Sequence, residues 1–267
     1  MTEKKVYRRP TYAITSVDHA LRLIQIIRDT GDLRVSDAAA ELGIATSTAH
    51  RLLAMLVYRG FAVQDDTRAY APGPALGVAP SKAPWTRVLR DLLYPHVELL
   101  ADRLNETVSL MFRVGGKVRL LTSVEAANVL RVGDRTGVVL NARDASGGKA
   151  LLAEVDRASV ERLYRSRSAE LAGEYLADRE FARILRELDD VRTRGFALNN
   201  EETEPGVCAI GASLRDVRGR PVAAFSVAVP ATRRGLLRES KVIAFVREAR
   251  SDMEVELRTN DFDATIR

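Results

Sequence analysis

The chain has 267 residues, 46% of them hydrophobic, with a single cysteine and a formal net charge of +5. That is enough apolar side chain to bury one or two cores, which excludes a disordered chain, and a lone Cys208 excludes an intrachain disulfide or a thiolate cluster for zinc or iron–sulfur. No apolar run approaches the roughly 18 residues of a membrane span, and the charged start "MTEKKVYRRPTY" lacks a signal-peptide core, so no membrane partner and a cytoplasmic location are expected. The triplet Asn105-Glu106-Thr107 matches a glycosylation acceptor only by coincidence in that setting. The basic excess is small, and its one local concentration is an arm of Lys4, Lys5, Arg8 and Arg9, either a solvated tail or a contact for a polyanion.

From Ser16, "SVDHALRLIQIIRDTGD" sets Val17, Ala20, Leu21, Ile24 and Ile27 on one helical face, with Ser16 to cap the start and Gly31 to end it. "VSDAAAELG" predicts a short second helix, capped by Ser36 and closed by Gly43 in a left-handed conformation. Thr46 can then cap a third helix in which Ala49, Leu52, Leu53 and Leu56 recur at i, i+3, i+4 and i+7, with Gly60 as the stop. Two short helices joined by a glycine turn, with small Ala39 allowing close approach and Leu42, Ile44, Ala49 and Leu52 as shared core, describe a helix-turn-helix.

With that core turned inward, Ser47, Thr48, His50 and Arg51 fall on the outer face of the third helix near its start at Thr46. A recognition helix enters a major groove there: Arg51 and His50 meet base edges, while hydroxyls and free backbone N–H groups meet phosphates. "FAVQDDTRAYAPG" alternates on both sides of Asp65-Asp66-Thr67 and predicts a hairpin wing, from which Arg68 reaches a phosphate or stays solvated. Through residue 70 there are ten basic and eight acidic side chains, so the module would hold DNA by localised charge. Use of the same winged helix as a protein-interaction adaptor is the alternative.

"GPALGVAPSKAP", 73–84, breaks every period and marks a boundary. Beyond it Trp85, Val88, Leu89, Leu92, Val97, Leu100 and Leu104 make a long apolar helix face bent at Pro95, with the tryptophan a core or dimer contact. The expected division is a DNA-binding domain over 1–78, a linker helix over 79–104 and a second domain over 105–267. In that last part "ETVSLMFRVGGKVRLLTSV" predicts a hairpin about Gly115-Gly116, "NVLRV" a further strand, and "DASGGKALLAEV" the start of a helix. "DREFARILRELDDVRTRG" places Phe181, Ile184, Leu188 and Val191 on one helix face, capped by Asp178 and stopped by Gly195. "VCAIGASLRD" and "RPVAAFSVAVP" follow as apolar strands before a terminal helix from about Leu236 to Arg258, which together indicate an α+β domain around an antiparallel sheet.

Nothing here asks for an enzyme, a cofactor or a metal. His19, His50 and His96 have no ligand spacing, and Cys208 has no nearby histidine to activate it. Adjacent Glu201 and Glu202 point apart, and Gly147-Gly148-Lys149 lacks the spacing of a phosphate loop. An enzyme with an accessory winged helix would need a clustered catalytic set.

The order of parts resembles the IclR family of bacterial transcription regulators over nearly the whole chain. The resemblance rests on "SVDHALRLI", on "ELGIATSTAHRLLAML" with a glycine and a wing after it, on "LNARDASGGKALLAE", and on "RTRGFALNNEETEPGVCAIGASLRD" with the later "RPVAAFSVAVP". It implies a winged helix-turn-helix, a linker helix and a GAF-like effector-binding domain. It further implies a dimer reading a palindromic operator, often pairing again into a dimer of dimers, and a local repressor or activator of a catabolic operon. A small organic effector would shift operator affinity. Carried over by position, the effector pocket is Val129 and Leu140 as apolar lining, Ser146 and Gly147 as backbone donors at a helix start, and Asn199, Ala209, Ser226 and Ala228. Family members that take small hydroxy or keto acids often have aspartate, cysteine, serine and serine at those last four positions. Two hydrogen-bonding side chains are thus missing here, at about 1 to 3 kcal/mol for each polar group left unpaired, which favours a larger, partly apolar effector such as an aromatic acid. Cys208 falls one residue before the family's cysteine and should face the opposite side of its strand.

Overall fold

The computed structural model describes residues 12–30, 32–64, 68–73, 76, 84–166, 169–170 and 173–263. Arg8, Arg9, Gly31, the turn residues 65–67 and most of the connector after residue 73 lie outside them. The chain divides into two compact units, Met1–Gly77 and Val78–Arg267. No helix among the described residues is long and apolar enough to cross a membrane.

The first unit is built from α1 (Thr15–Thr30), α2 (Val35–Leu42), α3 (Thr46–Tyr58) and two short antiparallel strands, β1 (Ala62–Gln64) and β2 (Tyr70–Pro72). Gly43 ends α2 with φ 63°, a conformation an L side chain resists, and its N–H returns to the last turn of the helix. That tight turn lets α2 and α3 share a core of Ala38, Ala39, Leu42, Ala49, Leu53 and Leu56, closed by Leu23 and Ile27 of α1 and by Tyr70. The sequence phase of α1 is corrected: Val17 and Leu21 are half exposed, and the buried row is Leu23 and Ile27 flanked by Ala20 and Ile24. Two apolar rows run along α1, and α2 and α3 cover only the second. The side-chain caps are also corrected. Ser36 and Thr46 lie inside their helices, whose N-caps are Arg34 and Ala45 without a capping side chain.

The second unit is a six-stranded antiparallel sheet in the order β5-β4-β3-β8-β7-β6. Its strands are β3 (Thr107–Val114), β4 (Lys117–Val124), β5 (Val139–Asn141), β6 (Ala197–Asn200), β7 (Val207–Arg215) and β8 (Pro221–Pro230). The helices are α4 (Pro84–Leu104), α5 (Ser146–Ala153), α6 (Arg157–Arg165), α7 (Asp178–Arg194) and α8 (Ser240–Thr259). Period-two alternation assigns the faces. Cys208, Ile210, Ala212 and Leu214 of β7, with Phe225, Val227 and Val229 of β8, face α4 and α8 in one core. Leu89, Leu93, Val97 and Leu100 of α4 fill that core, and Trp85 packs edge-on against Phe112 with ring centres 5.2 Å apart. α4, expected as a linker, is therefore part of the second unit's core along its length. The opposite face, with Met111, Leu120 and Ala224, carries α5, α6 and α7.

Three further expectations change. "NVLRV" is not a strand: β5 takes the edge of β4 instead, and residues 125–138 form a tethered loop whose backbone polar groups are met by side chains. Thr107 Oγ1 donates to the Val132 carbonyl at 2.5 Å and accepts the Ala126 N–H at 3.2 Å. α7 begins after Ala177, so Asp178 is its first residue and no side chain caps it. The terminal helix is broken, a 3₁₀ segment at Ala231–Arg238 preceding α8. Gly195 closes α7 at φ 78°, and Gly115 turns the β3–β4 hairpin at φ 57°, both in the expected places.

Candidate functional site

In the first unit the exposed polar groups gather at the start of α3. Ala45 offers no capping oxygen; its carbonyl accepts the N–H of Thr48 at 2.9 Å and of Ala49 at 3.1 Å. The N–H groups of Thr46 and Ser47 are those that a helix start presents to an anion. Thr46, Ser47, Thr48, His50 and Arg51 are all exposed while Ala49, Leu53 and Leu56 are buried, so the side chains singled out from the sequence share one surface. Arg68, at the second wing strand, is exposed with a left-handed backbone at φ 64°.

In the second unit a cavity opens over the α5 face of the sheet. Leu140, Ser146, Asn199, Ala209, Ser226 and Ala228, expected from the sequence, all line it, as do Ser109, Met111, Leu120, Arg135, Thr203 and Val207, which sequence reasoning missed. Its volume is about 30 Å³ as it stands, room for one or two waters. Val129 is not part of it. It is 99% exposed on the 125–138 loop, because the strand that would have turned it inward does not form. Gly147 lies beneath the cavity rather than on its wall: a Cβ there would sit 2.6 Å from Met111 Sδ. A Cβ on Gly211 would meet the Gly147 nitrogen at 2.6 Å, and one on Gly148 the Ala142 carbonyl oxygen at 2.4 Å. Gly147 and Gly148 thus let the start of α5 lie close against Met111, Ala224 and Ala142, and Gly211 lets β7 approach it.

The cavity's polar groups are fixed by local contacts. Ser109 and Ser123 share a hydrogen bond of 2.8 Å between their hydroxyls, and Ser109 stands opposite Ser226 across the β3–β8 register. Asn199 donates to Thr203 Oγ1 at 2.7 Å and accepts the Glu202 N–H at 2.8 Å. Glu202 reaches back to Lys149, a lysine 3% exposed at its side chain, whose Nζ donates to Glu202 at 2.7 Å, Glu187 at 2.5 Å and the Leu198 carbonyl at 3.0 Å. Glu201 points the other way and accepts the Gly206 N–H at 2.8 Å, so the paired glutamates form no acid/base pair. Cys208 faces the α4–α8 core, where burial pushes its thiol up and away from reactivity. Among the described residues no histidine, cysteine, aspartate and glutamate side chains gather as metal ligands.

A larger cleft of about 130 Å³ lies where α5 and α7 end, walled by Glu154, Arg192, Arg215 and Arg250. Its charges are spent on one another: Glu154 accepts from Arg215 and Ser213, each at 2.7 Å, and Arg192 donates to the Ala153 and Val155 carbonyls. Arginines there close helix C-termini, which leaves the smaller cavity as the ligand candidate of the second unit.

Both parts of the chain match known family models. The model of the IclR helix-turn-helix domain matches residues 16–66, and that of the bacterial transcriptional regulator IclR C-terminal domain matches 86–255. The HTH-type transcriptional regulator BhcR of Paracoccus denitrificans is 31% identical over 245 residues, 90% of this chain and 86% of the relative. The transcriptional repressor IclR of Escherichia coli K12 is 24% identical over 227 residues, 84% and 82% of the two chains. Among solved structures, an IclR homologue of Microbacterium hydrocarbonoxydans complexed with 4-hydroxybenzoate shares the fold with a TM-score of 0.55 at 21% identity, covering 92% of this chain and 98% of that one. The protein is a helix-turn-helix transcription regulator and not an enzyme. The chain belongs to the IclR family.

Proposed function

We propose that this regulator, acting in the cytoplasm as a dimer and in pairs of dimers, reads a palindromic operator with α3 and is switched by a small organic acid with an apolar, aromatic body. The division of labour is DNA reading by residues 1–78, connection by 79–104 and effector sensing by 105–267. Thr46, Ser47 and Thr48 serve phosphates, His50 and Arg51 base edges, and Arg68, Arg8 and Arg9 the flanking backbone. Leu140, Ala209 and Ala228 take the apolar body of the effector, with Ser146 at the start of α5, Asn199 and Ser226 as polar anchors.

The observation that carries this reading is the cavity's composition among the described residues: hydroxyls, one amide, one cation and a helix start around Met111, Leu120 and Leu140, with no acidic side chain among those that line it. Such a wall suits an anion with an apolar body, and the 4-hydroxybenzoate held by the Microbacterium homologue is a compound of that kind. The present volume requires the wall to yield on binding, which is how a guest comes to favour one conformation over another.

The test is anisotropy titration of the chain's own upstream DNA against random duplex. Arg51→Ala should cost about 1 to 3 kcal/mol on the preferred site and relax specificity, whereas Arg8→Ala should weaken both duplexes alike. Equal losses on both for Arg51→Ala would remove its reading role. Absence of any sequence-preferring complex at moderate salt would overturn the operator reading.

A further inference from the structure

Arg135 is the only charged side chain among the described residues that line the cavity. It is paired with Glu204 through Nη2, and the two ends of the pair differ: the arginine side chain is 17% exposed and the glutamate 44%. We propose that Arg135 selects an effector bearing a carboxylate, and that Glu204 is its built-in competitor, holding the guanidinium until the effector's carboxylate takes its place. The inference rests on the cavity being the effector site and deepens that reading by assigning its charge.

The surroundings fix the backbone of Arg135 while leaving its side chain room to exchange partners. Before it, Thr107 holds the Val132 carbonyl, and Asp134 Oδ1 accepts the N–H and hydroxyl of Thr136 at 2.8 and 2.7 Å. After it, the Gly137 N–H donates to the Leu120 carbonyl at 2.9 Å, and the Val138 N–H to the carbonyl of Arg135 itself at 2.9 Å. The other acids of the loop are committed elsewhere: Asp134 to Thr136, and Glu125 to Arg131 at 2.5 Å and the Asp134 N–H at 2.8 Å. Glu204 is therefore the carboxylate that a guest must displace.

The exchange is favourable by its asymmetry. A half-exposed ion pair is weak, because water solvates both ions nearly as well as they solvate each other. Glu204 turns outward into water, whereas the guest brings its carboxylate to a guanidinium already largely removed from solvent, where a forked, charge-assisted contact is stronger. A neutral guest would leave Arg135 with Glu204 and gain nothing from it. A cationic guest would meet a like charge.

The test is calorimetric titration of the full chain with matched acids and amides: benzoate with benzamide, phenylacetate with phenylacetamide, hexanoate with hexanamide. The wild type should bind at least one acid, and its amide at least about tenfold more weakly. Arg135→Gln should weaken that acid by about ten- to a hundredfold while leaving the amide within about threefold, so the preference disappears. Glu204→Gln should move the other way, tightening the acid and leaving the amide alone, a sign that a structural role for the pair would not produce. If Arg135→Gln melts early, the wild-type acid-to-amide ratio and the Glu204→Gln response decide. Equal binding of acid and amide by the wild type, or an unchanged preference in Arg135→Gln, overturns the role of Arg135 and leaves the effector cavity standing. Binding of no acid and no amide overturns the effector cavity and the role of Arg135 together.

Discussion

Adding one methyl group at Gly211 tests how the effector cavity is held in place. The Cβ of Gly211→Ala would stand 2.6 Å from the Gly147 nitrogen, 2.9 Å from the Ser146 carbonyl carbon and 3.0 Å from Gly147 Cα. All three are backbone atoms of the first turn of α5, so no rotamer relieves the clash and the helix start must withdraw from β7. Overpacking of this kind costs about 1 to 3 kcal/mol. For a unit of this size that is a fall in melting temperature of about 2 to 12 °C. Gly147→Ala is the comparison, since its nearest contact at 2.6 Å is the flexible thioether of buried Met111, with the Ala224 Cβ next at 3.2 Å, and no backbone atom is among the three nearest. Its expected cost is smaller than that of Gly211→Ala. Because Ser146 lines the cavity, Gly211→Ala should also weaken effector binding, while the first unit's affinity for random DNA stays unchanged. Urea denaturation and calorimetric titration measure both effects. A neutral Gly211→Ala, or a Gly147→Ala as costly as Gly211→Ala, would refute the claim that backbone contact between α5 and β7 sets the cavity floor.

Lys149→Met should destabilise the chain by about 2 kcal/mol in urea denaturation, less than for a fully buried pair because Glu187 and Glu202 are each about a third exposed and can hydrate. Effector affinity should fall with it, since Glu202 is tied to Asn199 through its N–H; unchanged stability would remove the network from the account. Tyr164→Phe should leave stability unchanged or raise it by up to about 1 kcal/mol, because the Tyr164 hydroxyl is buried without a hydrogen-bond partner among the described residues; a loss of stability would reveal a partner. Burial pushes the Asp216 carboxyl up, but hydrogen bonds from the Arg220 side chain and the N–H groups of Arg220 and Arg218 outweigh it and hold the carboxyl below its ordinary value. A depressed folded pKa means that this stabilisation is complete above the unfolded value of about 4 and is lost as pH falls through the folded one. Stability should therefore drop below about pH 4, and Asp216→Asn should lower stability at neutral pH and flatten that acid limb; an acid limb of unchanged steepness would contradict it.

Much of the fold was legible because short-range rules governed it. Gly43 and Gly195 end helices where a left-handed residue was needed, and the period-two runs of β7 and β8 were long enough to assign their faces, Cys208 included. The helix-turn-helix followed from one glycine turn between two apolar stripes. Illegible features were those decided by tertiary competition. On α1 two apolar rows offered themselves, and only packing against α2 and α3 chose Leu23, beside the expected Ala20, Ile24 and Ile27, over Val17 and Leu21. Val129 sits in a run with strand-like residues, yet the edge of β4 was taken by Val139–Asn141, leaving it in water. Within the cavity, Leu140, Ser146, Asn199, Ala209, Ser226 and Ala228 came from the family resemblance, which did not reach Ser109, Met111 and Leu120 on β3 and β4, nor Arg135, whose loop has no periodicity to say which way its side chains turn. A signal for Ser109 did exist: a hydroxyl in the apolar run "TVSLMF" is costly unless it meets another polar group, which Ser123 supplies.

The central claim is that effector and operator act on one equilibrium, and the most direct test is their reciprocity. Operator affinity is measured by anisotropy with and without a saturating acid from the panel above, and acid affinity by calorimetry with and without saturating operator. The account predicts that the two affinities shift by the same factor, on the order of 5- to 150-fold, as linkage between two sites requires. Tight binding of both ligands with no mutual shift would contradict it.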